Sequence, residues 1–89
     1  MAWTIKFTKT SQRQLKKLDR SLALRVLDYM DKRVALLDDP RSQGKNLVGP
    51  RLGSYWRYRV GDLRVICDIQ DNVLTVLVVE IGRRREIYR

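Results

Sequence analysis

The 89-residue chain has no histidine, a single cysteine, two prolines and one phenylalanine. Without histidine it cannot build a Cys–His zinc site or a histidine-based triad, and imidazole is not available as a general base. With Cys67 alone no intramolecular disulfide can form, which suits a reducing compartment. Long apolar runs are also missing. The longest, "VLTVLVV", is far shorter than the roughly 20 residues a membrane-spanning helix needs. The opening "MAWTIKFTKT" has no charged leader followed by an apolar core, so it does not read as a secretory signal. A cytoplasmic location without membrane attachment is expected.

Acidic charge is the last scarcity. Ten Asp and Glu stand against nineteen Lys and Arg, a formal net charge of +9. Such an excess predicts attraction to polyanions or to an acidic protein partner. At this length the chain is one domain, residues 1–89, with a single modest core.

What is present divides into two regimes. "WTIKF" (3–7) alternates Trp3, Ile5 and Phe7 with polar residues, a half-buried strand pattern. Thr8 or Thr10 then offers a helix cap. From 11 to 40, Leu15, Leu18 and Leu22, and then Val26, Leu27, Met30, Val34 and Leu37, recur at helical spacing. Asp19 and Ser21 mark a break near "LDRS", giving two helices, with Pro40 ending the second. "RSQGKNLVGPRLGS" (41–54) reads as a loop. Strands follow at 55–60, 63–69 and 72–81, joined by a "GD" turn of the II′ kind with glycine first, and by "QDN". Gly82 interrupts the last strand, and "RRREIYR" closes the chain. The fold class is α+β: an N-terminal strand, a two-helix hairpin, then a twisted antiparallel sheet of three to four strands.

The stretch "YWRYRVGDLR" carries the functional signal. Strand alternation puts Arg57 and Arg59 on one face, with Trp56, Tyr58 and Val60 on the other. A two-residue turn pairs Val60 with Leu63 and therefore Arg59 with Arg64. Like charges placed directly opposite each other weaken a sheet, and a bound anion would relieve them. The bland alternative is a solvated outer face, and three converging arginines favour the anion site. The tail adds Arg83, Arg84, Arg85 and Arg89 around Tyr88. Guanidinium forks grip phosphate, and a tyrosine ring can stack on an unpaired base, as in single-stranded nucleic-acid sites. The bland alternative for the tail is a basic end that only aids solubility. Lys45 is a weaker candidate for a phosphate contact. Cys67, Trp3 and Trp56 read as packing residues, and Asp68 as polar surface or an arginine partner.

The succession "LKKLDRSLALRVLDYM", "DDPR", "GSYWRYRVGDLRVIC" and "IGRRREIYR" resembles the RelE/ParE toxin superfamily of bacterial toxin–antitoxin systems over essentially the whole chain. The resemblance implies two helices packed on a twisted antiparallel sheet, and a cognate antitoxin as partner. For the RelE branch it implies a ribosome-dependent mRNA interferase. Such an enzyme cuts mRNA in the 30S A site by attack of a 2′-hydroxyl on the adjacent phosphorus. By position, Arg57 and Arg59 match the basic pair of the hairpin strand, and Arg64 matches the arginine that steadies the phosphate. Arg84 matches the arginine that assists the leaving oxygen, and Tyr88 the late tyrosine that orients substrate. Lys45, Arg83, Arg85 and Arg89 are expected to add RNA contacts. No metal or cofactor is implied.

Two departures bear on the chemistry. The best-known RelE toxins have lysines where this chain has Arg57 and Arg59, and arginine does not deprotonate in proteins. Many relatives have histidine where this chain has Arg83. Proton transfer would then fall to Tyr88, a carboxylate, ribosomal groups or water. The competing expectations are a ParE-type poison of DNA gyrase on the same fold, and a non-catalytic basic nucleic-acid-binding module.

Overall fold

The computed structural model describes residues 2–47 and 55–83. Strand β1, Thr4–Phe7, half-buries Ile5 and Phe7 and exposes Thr4 and Lys6, as its alternation requires. Helix α1, Lys9–Lys17, starts where Thr8 turns extended and its side chain accepts a hydrogen bond from the Ser11 amide. Helix α2, Arg20–Lys32, is capped in the same way by Asp19, whose carboxylate accepts from the Leu22 amide at 2.8 Å and from the Ser21 hydroxyl at 3.2 Å. Both caps satisfy amides that the helix itself leaves without partners.

The second helix ends at Lys32 rather than at Pro40. From Val34 to Leu36 the chain tightens into a 3-10 turn. The Ala35 carbonyl there accepts from the Trp3 amide at 2.7 Å, and the Asp38 carbonyl accepts from the Trp3 indole at 3.4 Å. Docking of the N-terminal segment therefore takes the carbonyls that a longer helix would have used. Pro40 instead opens a second 3-10 turn, Pro40–Ser42, where its missing amide costs nothing.

The remaining strands are β2 (Lys45–Asn46), β3 (Trp56–Val60), β4 (Leu63–Gln70) and β5 (Thr75–Arg83). They form a five-stranded sheet in the order β1-β5-β4-β3-β2. The pairs β2–β3, β3–β4 and β4–β5 are antiparallel, and β1 joins β5 in parallel, so the sheet is mixed. Lys45 and Asn46, expected in a loop, form the short edge strand. The last strand begins three residues later than expected, because Asp71–Val73 make a 3-10 turn closed by Leu74 in the left-handed region. It also runs through Gly82, which stays in the ladder opposite Arg64. Residues 48–54 of the expected loop lie outside the described residues.

The helices cover one face of the sheet. Val26, Met30 and Val34 pack there with Tyr58, Leu63, Val65, Cys67, Val76, Val78 and Ile81. Tyr58 is fully buried, and its hydroxyl donates to the Pro40 carbonyl at 2.7 Å, so the phenol's polar end is satisfied. Burial pushes the Tyr58 phenol and the Cys67 thiol well above their ordinary ranges. Cys67 is thus a small core residue, as expected, and both tryptophans pack, with the Trp56 indole donating to the Gln43 carbonyl at 2.6 Å.

Helix α1 lies along the outer side of β5 and fixes an irregularity there. Ile66 pairs with Glu80 but Cys67 pairs with Val78, so β5 carries one extra residue, Val79, against β4. The Ser11 hydroxyl donates to the Val78 carbonyl at 2.8 Å and the Thr8 hydroxyl to the Val79 carbonyl at 3.3 Å. One turn beyond Ser11, the Gln14 side chain accepts from the Ile81 amide at 2.6 Å. The β1 ladder ends at Phe7 opposite Val78, and beyond it the first helix takes up the backbone groups of β5.

Gly44 is the position that tolerates no side chain. Its φ is +80°, and an added Cβ would strike the Arg57 carbonyl and come within 2.7 Å of the Trp56 indole nitrogen. Gly44→Ala combines left-handed strain with overpacking, an expected loss of about 2–5 kcal/mol. Urea unfolding should show a lower midpoint, and an unshifted midpoint would refute the steric account.

Two exposed carboxylates set an acid dependence. Hydrogen bonding from the Leu22 amide holds Asp19 below the usual carboxylate range, and the Arg41 guanidinium does the same for Asp71. Arg41 contacts Asp71 with both terminal nitrogens, at 2.9 and 3.0 Å. Because the native pKa values are depressed, their stabilisation is complete above about pH 4 and disappears as pH falls through the native values. Stability should therefore decline on acidification below about pH 4. Asp19→Asn combined with Asp71→Asn should flatten that decline in thermal melts taken across the range.

Candidate nucleic-acid interface

The face of the sheet away from the helices carries the charge. The β3–β4 hairpin turns at Gly61, with φ +61°, while Asp62 stays out of the left-handed region, which is the II′ arrangement anticipated from "GD". The turn fixes Val60 opposite Leu63 and Arg59 opposite Arg64. In a two-residue hairpin the closing pair exchanges hydrogen bonds, so the next pair is of the closer kind, with Cα atoms about 4.5 Å apart. Two guanidinium side chains thus leave neighbouring strands side by side on one face.

Arg57 lies two residues back on that face, and Lys45 of β2 pairs directly with it. The sheet therefore gathers Lys45, Arg57, Arg59 and Arg64, and the edge strand brings in the lysine that the sequence left in a loop. Arg59 is exposed, whereas Arg64 is only 7% exposed and Ile66 beside it 2%. A charge held away from bulk water acts more strongly on whatever it touches. Among the described residues the ion pairs are Lys32–Asp28, Arg41–Asp71 and Arg83–Asp62, and none takes up Lys45, Arg57 or Arg59.

Arg83 stands apart from this group. It pairs with Leu63, one step off the arginine row, and its Nε donates to Asp62 in the hairpin turn at 3.1 Å. Among the described residues Asp68 forms no ion pair with an arginine, and it accepts from the Gln70 side-chain amide at 3.0 Å. Arg84, Arg85, Tyr88 and Arg89 lie outside the described residues.

Sequence reasoning passed over Glu80. It pairs with Ile66 in the row that also holds Arg57 and Lys45. Strict alternation from Val76 and Val78 would have turned it toward the core, and the extra residue at Val79 reverses that phase. The available signal was a lone carboxylate in the otherwise apolar run "VLVVEI".

A model of the ParE toxins of the type II toxin–antitoxin system parDE matches residues 5–88. The chain belongs to the RelE/ParE toxin superfamily. It is a toxin of a type II toxin–antitoxin system. Toxin RelG of Mycobacterium tuberculosis is 30% identical over 89 residues, covering 100% of this chain and 99% of that protein. The RelBE2 toxin–antitoxin complex of the same organism contains a chain with TM-score 0.83 and 26% identity, over 94% of this chain and 93% of that one. An archaeal RelE–RelB complex from Pyrococcus horikoshii OT3 gives TM-score 0.73 at 24% identity, over 94% and 97% of the two chains. The α+β architecture expected of a RelE-like toxin is the one observed, with β1 added in parallel.

The Arg59–Arg64 contact gives this toxin a stability signature. Like charges directly opposite in a sheet are unfavourable, and cross-strand pairs are worth about 0.2–1 kcal/mol. Arg59→Thr should therefore raise the melting temperature at low ionic strength, with the gain shrinking in high salt as the repulsion is screened. A lower melting temperature at low salt would show that the two arginines do not oppose each other.

Proposed function

We propose that this toxin is a ribosome-dependent mRNA interferase that holds a message in the 30S A site and promotes its cleavage. The 2′-hydroxyl attacks the adjacent phosphorus, leaving a 2′,3′-cyclic phosphate and a 5′-hydroxyl. The observation that carries this reading is the side-by-side Arg59–Arg64 pair with Arg57 and Lys45 on the same face. No ion pair among the described residues takes up Lys45, Arg57 or Arg59, and a phosphodiester would supply the opposite charge. Arginine cannot take a proton, so these groups bind and orient the backbone and stabilise negative charge growing on phosphorus. A preorganised donor of this kind is worth on the order of 2.7–4 kcal/mol. In this reading Arg84 assists the leaving oxygen and Tyr88 stacks on or orients the substrate, with Arg83, Arg85 and Arg89 adding backbone contacts. No cofactor is required.

A cognate antitoxin is the second partner. The RelBE2 and RelE–RelB structures are toxin–antitoxin complexes, and a net charge of +9 suits an acidic or amphipathic inhibitor. Action on ribosomes places the protein in the cytoplasm, and no described helix is long and apolar enough to cross a membrane.

The ParE description of the matching family model favours a second reading, a poison of DNA gyrase. Primer extension on a defined message in a reconstituted translation reaction separates the two. The interferase reading expects cuts within A-site codons that need ribosomes and fall by about 100-fold or more in Arg64→Ala and Arg59→Ala. An intact message together with inhibited supercoiling in a gyrase assay would establish the second reading instead.

A further inference from the structure

Transfer of the 2′-hydroxyl proton needs an acceptor, and the arginine patch supplies none. Beside Tyr88, ribosomal groups and water, the chain's ten carboxylates are the candidates, and Glu86, like Tyr88, lies outside the described residues. Most are placed elsewhere. Asp19 and Asp39 cap a helix and a 3-10 turn, and Asp28, Asp62 and Asp71 pair with Lys32, Arg83 and Arg41. Asp31 is at the end of α2, and Asp38 lies between the 3-10 turns where Trp3 docks. Tyr58 and Cys67 face the helices and are buried. On the arginine face only Asp68 and Glu80 remain among the described residues. Asp68 is bonded to Gln70 and pairs with Leu77, further from the hairpin.

Glu80 is differently placed. The bulge at Val79 puts it in the row Lys45–Arg57–Ile66–Glu80. It is half-buried, and no described residue forms an ion pair or side-chain hydrogen bond with it. Ile66 separates it from Arg57 by two strand spacings, about 10 Å between backbones. Arg64 is its diagonal neighbour, since Arg64 pairs with Gly82 and Ile66 with Glu80. Diagonal positions lie about 7–8 Å apart, within reach of long side chains. Gly82 brings no side chain between them. In register, the patch thus has cations on one side, the apolar Ile66 between, and a carboxylate on the other side.

We propose that Glu80 is the proton acceptor of the cleavage site, an assignment that rests on the interferase reading above. The Glu80 carboxylate takes the 2′-hydroxyl proton as the 2′-oxygen bonds to phosphorus. The bond from phosphorus to the 5′-oxygen breaks, the 5′-oxygen leaves with a proton from water, and Glu80 returns its proton to solvent. No oxidant, metal or further reactant is consumed. Among the described residues, the charged groups that the register sets nearest Glu80 are Arg57 on β3, Arg64 and Asp68 on β4, Lys45 on β2 and, one row further on, Lys6 on β1. Nothing but the bulge gives this strand a carboxylate on that face.

Single-turnover cleavage of a defined message on ribosomes tests the assignment, with circular dichroism confirming that each variant is folded. Glu80→Gln should cut about 10²–10⁴-fold more slowly than the unmodified toxin, the usual range for losing a general base. Glu80→Ala should be equally slow and should regain activity with added formate, whereas Arg59→Ala should not. A Glu80→Gln rate within threefold of the unmodified toxin would overturn the assignment and leave the interferase reading standing. A slow Glu80→Ala that formate does not restore would also overturn it, assigning Glu80 to the placement of Arg64. If the unmodified toxin itself does not cut, the interferase reading fails, and the assignment falls with it.

Discussion

The grip of α1 on β5 is the constraint on which the rest of the structure depends. Thr8, Ser11 and Gln14 hold the backbone from Val78 to Ile81, where β5 carries its extra residue. Side chains alternate with a period of two, so one inserted residue decides which face everything beyond it serves. Before the bulge Val76 and Val78 enter the core, and after it Ile81 does, leaving Glu80 and Gly82 on the arginine face. Ser11, fully buried, sits where α1 meets β5. Its hydroxyl bridges the Thr8 and Val78 carbonyls, making the helix start and the bulge one unit.

Against that fixed frame the hairpin sets two arginines opposite each other. A two-residue turn leaves no freedom in register, so Arg59 and Arg64 cannot slip past each other. The strands are held instead by their other face, where Tyr58, Val60, Leu63, Val65 and Cys67 are buried under the helices. Burial on one side thus offsets repulsion on the other. This is a common division in proteins whose sites are less stable than their scaffolds.

Legibility followed the range of the forces involved. The hairpin could be read because its turn is local: "GD" sets the register and the register sets the arginine pair. The helix caps at Thr8 and Asp19 were legible for the same reason, each bonding within three residues. What escaped depends on distant partners. The end of α2 was misplaced because Trp3, some thirty residues away in sequence, takes the carbonyls of Ala35 and Asp38. Lys45 was left in a loop because a two-residue strand has no periodicity to show. Glu80 was passed over because the bulge that turns it outward is held by a helix more than sixty residues upstream.

The order of the sheet has a consequence for how the protein behaves in company. Its two outermost strands are β1, four residues long, and β2, only two. Exposed strand edges recruit other chains into shared sheets, and short edges bearing lysine are poor templates for this. Lys6 and Lys45 occupy these two borders. Among the described residues the sheet therefore gives another copy of itself little edge to extend.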